Sequence, residues 1–198
     1  MVSGYLDDSQ FPHYVNLAQI QRIQALGHEI GCHTASHKHL PREPEKIMRN
    51  EIFLSRSFFQ HHGITTDTFA YPFGEYDERV QQIVKEAGFH GARSAIRGFN
   101  DRTIERSLLQ CQAVKLSTTT AQVIDWIEAA KTQEKWLILM FHQVDLEGRE
   151  LSTRPETLGA IAEYLARTNR RTITVRDGLR LLDEEAEPAE PGIEMATE

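Results

Sequence analysis

Long apolar runs are missing from this 198-residue chain. No stretch approaches the roughly 20 residues that a membrane-crossing helix needs. Cysteine is scarce. Cys32 and Cys111 stand far apart, too few and too distant for a CxxC redox or zinc motif, and both are expected as reduced, buried thiols. A basic excess is missing as well. Lys and Arg number 22 against 29 Asp and Glu, a formal net charge of -7. No basic stripe is present to track a phosphate backbone, so a nucleic-acid partner is not expected. The opening "MVSGYLDDSQFPHYV" lacks a basic region followed by an apolar one and does not read as a signal peptide. If Met1 is the true start, that reading places the chain in the cytoplasm.

What is present is an alternation of strand-like and helix-like segments in a length suited to one domain with a sizeable core. "VSGYL" reads as the end of a strand. "NLAQIQRIQALG" reads as a helix, with Asn16 as N-cap and Gln19 completing a capping box. Its Leu17, Ile20, Ile23 and Leu26 lie at helical spacing and are expected to face a core. "HEIGC" reads as a short strand and "EPEKIMRNEIFLSRSFFQHHG" as a long helix between Pro44 and Gly63. "DTFAYPFG" is a strand running into a turn. "ERVQQIVKEAGF" is a helix that buries Val80, Ile83, Val84 and Ala87. "HGARSA" and "QCQAVKL" read as strands and "TTAQVIDWIEAAKTQ" as a helix. "KWLILMFHQVD" shows no polar alternation and is expected to be a strand buried on both faces. "RPETLGAIAEYLARTN" is a helix, "RTITV" a last strand and "RDGLRLLDEE" a final helix. The domain is expected to span 1–183. Residues 184–198, acidic and rich in Pro and Ala, read as a disordered tail. This order points to an α/β fold with a parallel sheet, open or closed into a barrel.

In such folds functional side chains gather after the C-terminal ends of strands. His33 and His37 follow "HEIGC", "AYPFG" follows the strand from Thr66, and His142 ends "WLILMF". Asp7 and Asp8 follow "SGYL". An HxxxH pair at such a junction puts two imidazoles on one side of a turn, where both can reach one Zn²⁺. The alternative is a pair of solvated loop histidines, the reading given to His39, His61, His62 and His90. A histidine ending a buried strand is either satisfied by a carbonyl or placed for function. The Pro-Gly turn of "AYPFGEY" is either a strand-ending turn or a source of backbone donors for an oxyanion.

Three stretches in this order, "GHEIGCHTASH", "FAYPFGEYDERVQQIVKEAGF" and "LILMFHQV", resemble the polysaccharide deacetylases with a NodB homology domain, carbohydrate esterase family 4. The resemblance runs from about Val2 to Leu182. It implies a distorted (β/α) barrel of about seven strands, N-terminally incomplete in this chain. It implies a hydrolase of carbon–nitrogen bonds that removes acetyl groups from N-acetylated amino sugars in a glycan by attack of a metal-bound water. His33 and His37 would then be metal ligands, for Zn²⁺ or another divalent ion such as Co²⁺. His142 would be the general acid. Tyr71, Pro72, Phe73 and Gly74 would form the substrate and oxyanion segment, with the Phe73 N–H on the oxyanion and the Tyr71 and Phe73 rings lining the groove. Asp125 and Trp126 match a family pair, but their helical pattern assigns them to surface and core.

Two departures qualify the resemblance. Ala70 stands where the family often carries an arginine. The family's opening T-F-D-D-G, which supplies a catalytic base and a third metal ligand, has no counterpart, and Asp7 and Asp8 read as solvated loop acids. The expectation is that Met1 is an internal methionine, with the aspartate pair upstream and a cell-envelope or secreted location if a signal segment precedes it. A barrel without its first strand is also expected to cover its open edge by pairing with a second copy. Two further readings stay open. One is an inactive glycan-binding pseudoenzyme or assembly subunit. The other is an enzyme of the same family cleaving an O-acetyl ester or a small cyclic amide.

Overall fold

The computed structural model describes residues 1–7 and 14–184. Asp8 and, from residue 185 onward, the expected tail lie outside the described residues. Among the described residues the elements run α1 (Leu17–Ala25), α2 (Glu45–His61), β1 (Thr68–Ala70), α3 (Glu78–Glu86), β2 (Gly91–Arg97), β3 (Leu109–Ala113), α4 (Thr120–Thr132), β4 (Leu139–Met140), α5 (Pro155–Arg167) and α6 (Val175–Glu184). Short 3₁₀ turns cover Ser3–Tyr5, Leu40–Arg42, Pro72–Gly74 and Arg106–Leu108. No helix among these residues is long and apolar enough to cross a membrane.

The strands form one parallel sheet in chain order, β1-β2-β3-β4. Parallel neighbours need crossover connections, and α3 and α4 supply two of them. The result is an α/β fold whose curled parallel sheet forms part of a (β/α) barrel, as the sequence implied.

Helix α1 begins where its side chains can satisfy its own first N–H groups. Asn16 Oδ1 accepts from the Gln19 N–H and Gln19 Oε1 accepts from the Asn16 N–H, both at 2.8 Å. Its Ile20 joins Leu6, Ile30, Ile64 and Phe59 of α2 in one apolar cluster. A second cluster packs Met48 and Ile52 of α2 against Val80, Ile83 and Val84 of α3 and Phe69 of β1. Helix α2 is therefore held on both sides, and the loop before it inherits that rigidity.

Several local readings need correction. "VSGYL" is a 3₁₀ turn, although its backbone runs beside 33–35: the His33 N–H donates to Met1 O and the Ser3 N–H to Thr34 O. "HEIGC" reduces to a single parallel bridge between Cys32 and Phe69. Leu26 is 68% exposed, because the helix has ended and the residue serves as C-cap. "KWLILMFHQVD" is ordered as a strand only at Leu139–Met140, and there both residues are half-buried. Among the described residues it lies at the sheet edge, with β3 on one side and no strand on the other. "RTITV" forms no strand; it leads irregularly into α6. Both cysteines are free and buried, as expected.

Phe59 has no exposed surface and ties α2 to α1. Its truncation to Ala is expected to cost about 3–5 kcal/mol of unfolding free energy, from lost burial plus the cavity left behind. Urea denaturation checks this; a negligible loss would mean that the cluster does not fix α2.

Candidate active site

The site grows out of one loop and three strand ends. Cys32 enters the sheet: its N–H donates to Thr68 O at 2.8 Å, and its carbonyl accepts from the Ala70 N–H at 2.9 Å. His33 therefore emerges level with the end of β1. There its Nδ1 lies 2.6 Å from Ala70 O. A carbonyl only accepts, so Nδ1 carries the proton and Nε2 is left with a lone pair. His37 Nε2 stands 3.0 Å from that lone pair and donates to it. Burial first, and then the positive charge of the nearby Met1 amino group, pushes the His33 pKa down to about 3. Burial, followed by its histidine neighbours' charges, also lowers that of His37. Both rings are held neutral, the form in which imidazole offers a lone pair.

The loop is strained and clamped. Thr34 and His37 have φ of 67° and 57°, values that non-glycine residues rarely adopt. Thr34 Oγ1 accepts from the His37 N–H at 3.0 Å. Helix α2 supplies the rest. Glu51 is buried and takes two donors from the loop, the Ser36 N–H at 2.7 Å and Ser36 Oγ–H at 2.6 Å. The carbonyl of Glu51 accepts from the Ala35 N–H, and Ser55 Oγ donates to Thr34 O. Neither Glu51 nor Ser55 was singled out from the sequence. A signal existed: Glu51 sits on the apolar stripe of α2 beside Met48 and Ile52, and a carboxylate placed there must find donors.

The turn after β1 divides by alternation. Phe69 and Tyr71 point to the helix layer; Tyr71 is 1% exposed, packs on Phe69 and Tyr76, and leaves its hydroxyl without a partner. The expectation that its ring lines the groove is corrected by this period-two geometry. Pro72 is likewise buried. Phe73, with φ of 58°, turns its half-exposed ring to the histidines: its centroid is 4.5 Å from that of His37, and His39 stacks on it at 3.7 Å. His39 is no solvated loop residue, since its Nδ1 also bonds Glu75 at 2.8 Å. That bond, with the charge of Arg42, holds the Glu75 carboxyl below its ordinary range. Gly74 has φ of 72°, and a Cβ there would meet the Ala95 Cβ at 2.3 Å, so the turn requires glycine.

His142 lies exposed just past β4, and its pKa is lowered by partial desolvation and by the charges of Arg93 and Lys115. Its field also reaches His37. His61, His62 and His90 lie elsewhere, on α2 and its end or before β2. Asp125 is exposed and Trp126 packs beside the Val114–Val123 cluster, the surface and core roles read from the sequence. Asp7 accepts from the Leu17 N–H at 3.1 Å at the start of α1. Among the described residues no group of three His, Cys, Asp or Glu side chains could hold a metal ion.

Residues 5–92 match the family model described as polysaccharide deacetylase. Over that stretch, somewhat less than half of its length, the chain is similar to the polysaccharide deacetylases. The matched span includes His33, His37 and the whole 70–74 turn. No curated protein matches the chain. Solved structures share the fold at low identity. A Streptococcus pyogenes deacetylase in complex with acetate is 16% identical with a TM-score of 0.55, over 63% of this chain and 55% of that one. A polysaccharide deacetylase from Bacillus cereus is 21% identical with a TM-score of 0.57, over 64% of this chain and 40% of that one. A candidate polysaccharide deacetylase from Mycobacterium smegmatis is 16% identical with a TM-score of 0.57, over 85% of this chain and 67% of that one. The chain thus spans only about half of the first two proteins.

Glu51→Ala is expected to release the 33–37 loop and to speed amide exchange at Ser36 roughly 10–100-fold, the worth of a lost hydrogen bond to a charged group. Glu51→Gln keeps an acceptor for the Ser36 donors and should lose less. Amide hydrogen exchange at fixed pH decides; equal rates in all three proteins would mean that the clamp does not position the histidines.

Proposed function

We propose that the domain serves a metal-dependent deacetylase that hydrolyses the N-acetyl group of amino sugars within a poly- or oligosaccharide. The observation that carries this reading is the convergence of His33 Nε2 and His37 Nε2, 3.0 Å apart, inside a polysaccharide deacetylase match. Two nitrogens about 2.0–2.1 Å from one tetrahedral Zn²⁺ would lie roughly 3.3 Å apart, so the pair suits such an ion, or Co²⁺, with little movement. When bound, the ion supplies a Lewis acid and acidifies a water molecule.

The chain's own residues do the rest of the work in this reading. The Ala70 carbonyl fixes the His33 tautomer, so His33 Nε2 presents its lone pair on the side facing His37. For His37 to serve as a ligand its Nε2 proton would have to sit on Nδ1 instead, the neutral tautomer that leaves Nε2 bare. The Phe73 N–H, at the start of its 3₁₀ turn, donates to the acetyl oxygen as negative charge develops there. The Phe73 and His39 rings, stacked and half-exposed, offer an apolar face to the sugar. His142 protonates the leaving amine, and its lowered pKa suits it to give up a proton. No carboxylate among the described residues stands at the histidine pair, so the proton of the attacking water is assigned to none of them.

That missing carboxylate also favours a second reading, a glycan-binding protein that does not turn over. One assay separates the two. The Zn²⁺-loaded protein is incubated with N-acetylglucosamine oligomers and acetate release is followed, beside O-acetyl xylan and cyclic amides as alternative substrates. Deacetylation is expected, lost by 100-fold or more in His33→Ala/His37→Ala and reduced roughly 10²–10⁴-fold in His142→Ala. Undiminished turnover in the double variant would overturn the proposal. Saccharide binding without turnover at saturating Zn²⁺ would establish the binding protein instead.

A further inference from the structure

Arg93 is a strand residue of the cleft that the functional reading leaves unused. It sits on β2 in register with Ala70, the residue whose carbonyl holds His33. Its neighbour Ala92 is buried in the α2–α3 cluster, so by alternation Arg93 projects to the opposite, cleft-facing side of the sheet. There Nη1 contacts Met140 Sδ at 2.8 Å, two residues before His142, and Ser94 O at 3.0 Å, with Cys111 Sγ at 3.9 Å. The guanidinium therefore lies between the strand end that carries His33 and the one that carries His142.

Its chemistry is incomplete. All three contacts are to neutral atoms and all use Nη1. Among the described residues no carboxylate pairs with Arg93, while Arg42, Arg49, Arg79, Arg106, Arg170 and Arg176 each have one. Nε and Nη2 are not buried, and among the described residues they make no hydrogen bond. A half-buried cation with neutral neighbours and open donors favours an anion, and the planar fork fits a carboxylate bidentately. Its charge is felt by His33 and His142 alike, which places it within electrostatic reach of both.

We propose that Arg93 is the carboxylate-binding residue of this cleft and takes the acetate ion released by deacetylation. This rests on the deacetylase reading for the source of the acetate. The position argues for a small carboxylate, since Arg93 is half-buried, in register with Ala70 and in contact with Met140, between the strand ends that carry His33 and His142. A neutral acetamide group leaves the charge unmatched, and the acetate product matches it. Arg93 thus draws the carboxylate away from the amine and separates the two products.

The test uses the metal-free chain, so that no ion competes for the anion. Acetate and acetamide are titrated separately, and binding is read from the Arg93 Nε–H resonance and from the His142 ring. Acetate is expected to shift both and acetamide neither. Arg93→Gln and Arg93→Met should weaken acetate binding roughly 10–100-fold, the worth of a hydrogen bond to a charged group, and Arg93→Lys should fall between. Absent acetate binding, equal binding of acetamide, or unchanged affinity in Arg93→Gln would each overturn the proposal. Preference for the lactyl carboxylate of N-acetylmuramic acid over acetate would do so too, by assigning the guanidinium to substrate. The acetate-against-acetamide contrast in the unaltered protein stands even where a variant fails to fold. Binding is read without turnover, so a failed titration and a failed deacetylase assay are separate results.

Discussion

The hydrogen bond from His33 Nδ1–H to the Ala70 carbonyl, 2.6 Å long, is the constraint on which the rest of the site depends. It fixes which nitrogen carries the proton and where the other one points. It also ties the histidine loop to the end of β1, the same strand end that leads into the Phe73 turn. With the carbonyl as acceptor, His33 Nε2 and His37 Nε2 share one point in space. Without it the imidazole would be free to present either nitrogen, and the pair would be only two nearby rings. A sheet hydrogen-bonding group is in this way used as a positioning device for chemistry.

A strained loop keeps such a geometry only if something rigid over-determines it. Here that is α2. The helix is packed by Phe59 against α1 and by Met48 and Ile52 against α3, and its polar Glu51 and Ser55 take hold of four backbone or hydroxyl groups at 34–36. Core packing energy is thereby converted into loop precision. The same logic holds on the other side of the site, where Gly74 lets the turn pass against Ala95 and presents the Phe73 ring to His37 and His39.

Much of this was legible in the sequence, and the limits have physical causes. The helices were readable because their signals are local: the Asn16–Gln19 box, the apolar spacing of Val80, Ile83 and Val84, and Pro44 and Gly63 at the ends of α2. The histidine pair and the Phe73 turn were readable because short motifs place them at strand ends. Strand extent was less readable, since pairing partners lie far away in sequence. "HEIGC" becomes one bridge, "RTITV" pairs with nothing, and the edge position of β4 leaves its apolar residues only half-buried. Tyr71 was misread because motif position was weighed above alternation, which sends it to the core with Phe69. Glu51 and His39 gained their roles only in three dimensions, through Ser36 and through Phe73 and Glu75.

The most direct measurement of the central claim is long-range ¹H–¹⁵N NMR of the histidine rings in the metal-free protein, followed by addition of Zn²⁺. The account predicts a protonated Nδ1 and a bare Nε2 on His33, with the Nε2 signals of His33 and His37 shifting together as the ion is added. A His33 ring protonated at Nε2, or a Zn²⁺ response confined to one of the two histidines, would contradict it.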